Sequence, residues 1–380
     1  MTGRQLVVIG ASEGPRAEAL RGALAKLRLF EAKFIGYDVA AADPSILEDA
    51  ITRGTLVRFD SPDRSPAQIA ALYRAGSGAA EASGIHVLSN SEIETVATSR
   101  GLVGSPAQLV FGMKRIWERA KVIALGRDAS ILSGVDDTAL SFDKTACSRH
   151  LQSKGLAVAR VMGRVESFDE LMEEMKKQRA RRVFIKLRHG SSAVATTAFA
   201  CGPRGQMAAY TTAVIDDRGR IAATRQLRRL HDRKQIAGIF ERILPLGVHI
   251  EAWLPKASVD GHITDIRFIT VDGKPMFEIL RMSKNPITNL HLGGKRAPVL
   301  ALKQRLRTGL WQDLLDSCRN VARALPTCFA LGIDAAVLAG DRTHAIIEVN
   351  AFGDHVNGIT YRGCTPQEWQ VLEWRRCYDA

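Results

Sequence analysis

None of the six cysteines (Cys147, Cys201, Cys318, Cys328, Cys364 and Cys377) belongs to a C-x-x-C pair, and none has zinc-site spacing to any of the nine histidines. A zinc module built on such pairs is excluded, and the thiols read as reduced side chains of a cytoplasmic protein. Long apolar runs are also missing: nothing approaches the roughly 18 to 20 residues a membrane helix needs. The run 6–10 gives way at once to Ser12, Glu13 and Arg16 and is too short for the apolar region of a signal peptide. No membrane partner is expected. No internal repeat is evident, which excludes a solenoid. The string Gly10-Ala11-Ser12-Glu13-Gly14 lacks the G-x-G-x-x-G spacing, so a tight turn describes it better than a dinucleotide site.

What is present fits a compact chain of two or three domains, since 380 residues is well over the usual domain size. Apolar residues make up 46% and charged residues 24%, close to the globular average, so disorder and collagen-like bias are excluded as well. Lysine and arginine exceed aspartate and glutamate by 53 to 40, a net charge of +13, which favours anionic partners. One basic run holds Lys176, Lys177, Arg179, Arg181, Arg182, Lys186 and Arg188; a second holds Arg225, Arg228, Arg229, Arg233 and Lys234. Acidic residues and apolar periodicity interleave with both, so they read as solvated faces and not as a nucleic-acid tract.

Periodicity predicts an α/β opening: strands at 6–10, 34–37 and 55–59, with a helix over 16–27. Ser105-Pro106-Ala107-Gln108 has the chemistry of a helix start, and the helix should reach about 120. Further helices are expected over 143–154, after the Ser167/Glu170 capping box, and over 300–325. The second half reads as antiparallel sheet, with strands at 183–187, 210–215, 248–254, 263–271, 276–281, 333–338 and 345–349.

The chemistry concentrates on those strands. Asp334 and Glu348 each stand among apolar neighbours, and Glu348 and Asn350, two residues apart, face the same side. Three oxygen donors of this kind suit Mg²⁺, whose shell is completed by water and phosphate; two outward carboxylates on a half-exposed sheet would read the same way. Lys144 opens a helix after Asp143, and Lys186 lies inside an apolar strand, where an ammonium group needs an anion. Arg188-His189-Gly190-Ser191-Ser192-Ala193 is a small-residue loop that could close over phosphates or be a plain hairpin. The strand holding Glu251, Trp253 and Leu254 runs out into a turn at Pro255, offering backbone groups to an adenine edge. Asp265-Ile266-Arg267 puts an acid and a base on one face, and Arg281 ends the next strand before Asn289-Leu290-His291-Leu292-Gly293-Gly294. Arginine forks bind phosphate and carboxylate oxygens bidentately, although a charged rim would also account for either arginine alone.

In this order, these features resemble the ATP-grasp superfamily, most nearly its glutathione-synthetase and ribosomal-protein glutamate ligase branch. The resemblance runs from about 139 to 358 and is carried by the D-I-R string, by N-L-H-L-G-G and by the final E-V-N. It implies an ATP-grasp fold of the α/β (α+β) class preceded by an α/β domain. That gives an N-terminal unit over 1–130 and an ATP-grasp unit over 131–380, whose two parts, about 131–200 and 201–380, would clasp ATP. It further implies that Lys144 and Lys186 contact ATP phosphates and that Ser191 and Ser192 belong to the covering loop. Glu251, Trp253 and Leu254 would form the adenine hinge, with Asp265 near the ribose. Arg267, Arg281 and Asn289 would serve the γ-phosphate and the substrate carboxylate, and Asp334, Glu348 and Asn350 would bind Mg²⁺, or Mn²⁺ in its place. Two departures stand out: Gly353 occupies the family's usual proline position and is followed by Asp354-His355, and the covering loop lacks extra glycines.

The implied activity is ATP-dependent joining of a carboxylate to an amine through an acyl phosphate. Positioning and charge neutralisation would do most of the work, and His291 and His355 are candidates to deprotonate the amine. Positive charge points to an acidic small molecule or peptide as substrate, and the resemblance allows a homo-oligomer. Two other classes use the same residues: a kinase with the same ATP site, and a non-catalytic ATP- or nucleic-acid-binding protein.

Overall fold

The computed structural model describes residues 4–63, 65–353 and 356–378. Its first layer is a parallel sheet in the order Phe30–Ile35, Arg4–Ile9, Leu56–Phe59, Ser130–Ile131. Alternation along the central strand buries both faces, as parallel sheets require. Val7 and Ile9 pack with Trp117 and Met113 on one side; Leu6 and Val8 pack with Leu20, Leu24 and Trp374 on the other. Trp374 belongs to the last helix, Pro366–Tyr378, which returns to lie on the first, Pro15–Leu27, and is tied there by Lys26 Nζ to Glu368 Oε1 at 3.0 Å. The expected division at 130 is therefore crossed by the end of the chain.

Helices Pro66–Ala82 and Pro106–Gly126 cross at two glycines. A Cβ on Gly112 would fall 1.9 Å from the Leu72 carbonyl oxygen, and one on Gly76 1.9 Å from that of Gln108. No rotamer change relieves a clash with backbone, so Gly112→Ala should destabilise the chain by about 1–3 kcal/mol, read as an earlier thermal midpoint; an unchanged melt would contradict this crossing.

The remaining two sheets are antiparallel and face each other across a cleft. One has five strands, in the order Ile221–Leu230, Met207–Ile215, Thr197–Cys201, Arg182–Leu187, Val248–Ala252. Helices Phe168–Lys177 and Arg233–Ile243 cover its back, burying Phe168, Phe199 and Phe240 together. The other runs Lys295–Ala297, Lys274–Ser283, His262–Val271, Ala330–Val337, His344–Asn350, with Ser258–Val259 paired to His262–Val271. Helices Lys144–Ser153 and Leu310–Ala324 cover it. Residue 200, the expected boundary between the two clasping parts, lies inside a strand of the five-stranded sheet. None of the described helices is long and apolar enough to cross a membrane.

Several local readings differ from observation. The helix expected over 300–325 is broken into Leu300–Lys303 and Leu310–Ala324, with Gly309 at φ 85° forming the junction. Ser105 makes no side-chain cap bond, and Glu170 reaches the Glu166 amide (2.8 Å) where a capping box would use that of Ser167. Strand Ile221–Leu230 carries Arg225, Arg228 and Arg229 exposed on a sheet edge, where no apolar alternation announces it.

Candidate active site

A cleft of about 2030 Å³ opens where the three sheets meet. On the six-stranded sheet its floor is fixed by register: Arg281 pairs with Asp265, Arg267 with Asp334, Asp334 with Glu348, and Gly332 with Asn350. Residues two apart share a face, so one row of partners sets Arg281, Asp265, Arg267, Asp334, Glu348 and Asn350 on the same side. A bulge between Asp334 and Ala335 leaves Ile347 as the extra residue beside Glu348. Gly332 leaves room for the row, since a Cβ there would lie 3.1 Å from the Arg267 guanidinium. Asn350 Nδ2 donates to the Gly332 carbonyl at 3.3 Å, which leaves its amide oxygen facing away from that bond.

The roof comes from the five-stranded sheet and helix Lys144–Ser153. Lys186 Nζ lies 2.7 Å from Glu251 Oε1 and 3.7 Å from Glu348 Oε2. Lys144 Nζ is 3.3 Å from Glu348 Oε1 and 2.5 Å from the Gly190 carbonyl. Asp143 caps its helix through the Ala146 amide (2.9 Å) and receives the Arg188 Nε donor at 2.7 Å, which fixes Lys144 against the loop after Leu187. Two lysines from separate elements thus meet over one carboxylate of the six-stranded sheet.

Burial alone would lower the Lys186 ammonium, but Glu251 and Glu348 outweigh it and raise it above its ordinary value. Burial would push Glu251 up; the Lys186 charge and the His249 bond prevail and bring its carboxyl down to about 2. Glu348 is lowered, against its burial, by Lys144 and Lys186. Asp334 is lowered, again against burial, by Arg267 and Arg281: Arg267 grips both oxygens, and Arg281 Nη2 stands 3.0 Å from Oδ1. A carboxyl depressed in the folded chain stabilises it above the unfolded value, and that contribution is lost as pH falls toward the folded one. Folding stability should therefore drop between about pH 4.5 and pH 2. Glu251→Gln should flatten that slope in denaturant titrations at stepped pH; an unaltered slope would contradict the pairing.

The loop bearing Ser191 and Ser192 lines the cleft, with Ser192, Ala193 and Ala195 in left-handed conformation at φ 53°, 57° and 49°. Three such residues without glycine are costly, and the Thr212 hydroxyl, donating to the Ala193 carbonyl at 2.7 Å, holds the turn. Leu254 lines the cleft, but the Trp253 amide is spent on the Arg182 carbonyl (3.1 Å), and its ring packs on Phe184 at 5.2 Å outside the cleft wall. Asp265 is also committed elsewhere: Arg281 Nε lies 2.7 Å from Oδ1, while Lys256 (3.2 Å) and the Thr288 hydroxyl take Oδ2. Its carboxylate is lowered, against burial, by Arg281 and Lys256, and it buttresses Arg281. Asn289 accepts from the His291 amide at 2.7 Å and shapes the loop around Leu290–Leu292. Gly353 has φ 62°, a conformation closed to the proline of the resembling family; Asp354 and His355 lie outside the described residues.

Sequence reasoning missed Lys256, Thr288, Thr145 and His249. Lys256 follows Pro255 in what reads as a turn, and its partners are 9 and 32 residues away. For His249 a signal existed: it shares the Glu251 face of a strand that pairs with the one carrying Lys186.

No protein-family model matches the chain, and no curated protein matches it. Solved structures do. An ATP-grasp ligase, PsnB, complexed with minimal precursor, Mg and ADP superposes with a TM-score of 0.54 at 12% identity, covering 99% of this chain and 98% of that one. The ADP complex of purK, an N5-carboxyaminoimidazole ribonucleotide synthetase, gives 0.57 at 14% identity over 98% and 77%. A D-alanine–D-alanine ligase from Bacillus anthracis gives 0.52 at 12% identity over 98% and 92%. The chain has the ATP-grasp fold, a mixed α/β architecture. These neighbours share the fold and do not single out the glutathione-synthetase branch.

Proposed function

We propose that the chain is an ATP-dependent carboxylate–amine ligase that releases ADP and phosphate. The carrying observation is the meeting of Lys144 and Lys186 over Glu348, beside the oxygen donors of Asp334 and Asn350. In this reading 1–130 forms one wall of the cleft and 131–380 the nucleotide clasp. Lys144 and Lys186 exchange Glu348 for phosphate oxygens as ATP arrives, while Glu251 keeps Lys186 in place. Ser191 and Ser192 cover the phosphates, and the Leu254 backbone with the Phe184 side chain flanks the base.

Two carboxylates and an amide form a hard donor set that fits Mg²⁺ or Mn²⁺. Bound there, the metal supplies charge neutralisation for the transferred phosphoryl group. Arg267 and Arg281 hold the γ-phosphate and the substrate carboxylate. The carboxylate oxygen attacks the γ-phosphorus, the bond to the β-phosphate oxygen breaks, and ADP leaves. The amine then attacks the acyl carbon, the acyl–oxygen bond breaks, and phosphate departs. In this reading His291, exposed on the cleft wall, takes the amine proton. Neighbours held with Mg and ADP, and with a precursor, support the nucleotide and metal parts of this reading and a peptide among the candidate acidic substrates.

The test is ADP release by purified protein with ATP and Mg²⁺ across a matrix of carboxylates and amines that includes acidic peptides. Equal ADP and phosphate, appearing only when both partners are present, is expected. A phosphorylated product without free phosphate would replace this reading with a kinase, and no nucleotide turnover with any pair would remove it.

A further inference from the structure

His249 is almost wholly buried (1% exposed) and does not line the cleft, yet it stands directly opposite Lys186 in the strand pair Arg182–Leu187 and Val248–Ala252. Its Nε2 lies 3.0 Å from Glu251 Oε2, and its Nδ1 lies 3.1 Å from the Thr145 hydroxyl. Glu251 offers its other oxygen to Lys186 at 2.7 Å. An ionised carboxylate only accepts, so Nε2 carries a proton and donates to Glu251, while Nδ1 shares a hydrogen bond with the Thr145 hydroxyl. The chain Thr145, His249, Glu251, Lys186 therefore runs from the residue after Lys144 to the second phosphate-side lysine.

We infer that His249 is a positioning residue for nucleotide binding: by fixing one Glu251 oxygen and the first turn of helix Lys144–Ser153, it holds Lys186 and Lys144 at one spacing for the triphosphate. This rests on the ATP site proposed above. Glu251 has two oxygens and one freely rotating carboxyl bond, so without a partner for Oε2 it has no fixed aim. Lys186, with four rotatable bonds, loses its anchor when Glu251 turns, and ordering it again must be met from binding energy. A purely structural histidine would affect stability and leave nucleotide affinity alone.

The experiment is calorimetric affinity for a non-hydrolysable ATP analogue with Mg²⁺, beside thermal melts. His249→Phe, which keeps a planar buried ring and removes both bonds, should weaken binding about tenfold. His249→Gln, whose amide can still donate to Glu251, should recover most of that loss. If His249 acts through Glu251, the double variant His249→Phe/Glu251→Gln should bind no more weakly than Glu251→Gln alone, and Thr145→Val should shift affinity in the same direction by less. Unchanged affinity in a folded His249→Phe, or losses that simply add, would overturn the inference while wild-type binding preserved the ligase reading. No binding by the wild-type chain would overturn both.

Discussion

Replacing Glu348 with alanine should lower ADP release by about a thousandfold or more with the fold retained, since it removes a metal donor from where charge develops. The geometry adds a sharper expectation. Glu348 is the anion that Lys144 and Lys186 share, at 3.3 and 3.7 Å. ATP must displace it from both, so Glu348→Ala should bind ATP in the absence of metal at least as tightly as the wild type. Turnover and metal-free affinity would then move in opposite directions. Near-normal turnover in Mg²⁺ would refute the donor assignment, and a parallel loss of metal-free affinity would mean that the carboxylate props the site open and does not compete with phosphate.

Lys186→Met should have the second-largest effect, for a different reason. The side chain keeps its volume, but Glu251 is then left charged and buried, 4% exposed, with His249 as its remaining side-chain partner among the described residues. Breaking a buried pair from one side costs about 3–5 kcal/mol, enough to be plain in a denaturant melt. ATP affinity should fall as well. Adding Glu251→Gln removes the stranded charge, so the double variant should regain most of the stability and none of the affinity. If the double variant regained affinity too, Lys186 would serve the fold alone and not the nucleotide.

The strand chemistry was legible because a period of two is local. Asp334, Glu348 and Asn350 stand among Ile333, Ile347 and Val349, and that alternation already sets three donors on one face. Lys186 was legible as an ammonium group in an apolar strand, which must find an anion. Sequence alone did not say which anion: Glu251 and Glu348 are 65 and 162 positions away, and only pairing of the strands selects them. Asp265 shows the same limit from the other side. Its carboxylate receives Arg281, Lys256 and Thr288, and nothing in the D-I-R string reveals those partners. Which Trp253 backbone groups face the cleft was not legible either, since continued pairing with Arg182 engages its amide. The return of helix Pro366–Tyr378 to the first sheet depends on Val371 and Trp374 meeting Leu6 and Val8, a contact across almost the whole chain with no local signature. Gly309 could have been taken as a break in the 300–325 helix, since glycine there has a cost.

The most direct measurement of the central claim is a crystal of the chain with a non-hydrolysable ATP analogue and Mn²⁺, read for anomalous signal. Manganese is expected among the side-chain oxygens of Asp334, Glu348 and Asn350, with the β- and γ-phosphates against Lys144 and Lys186. Nucleotide bound away from both lysines, or manganese remote from all three donors, would contradict it.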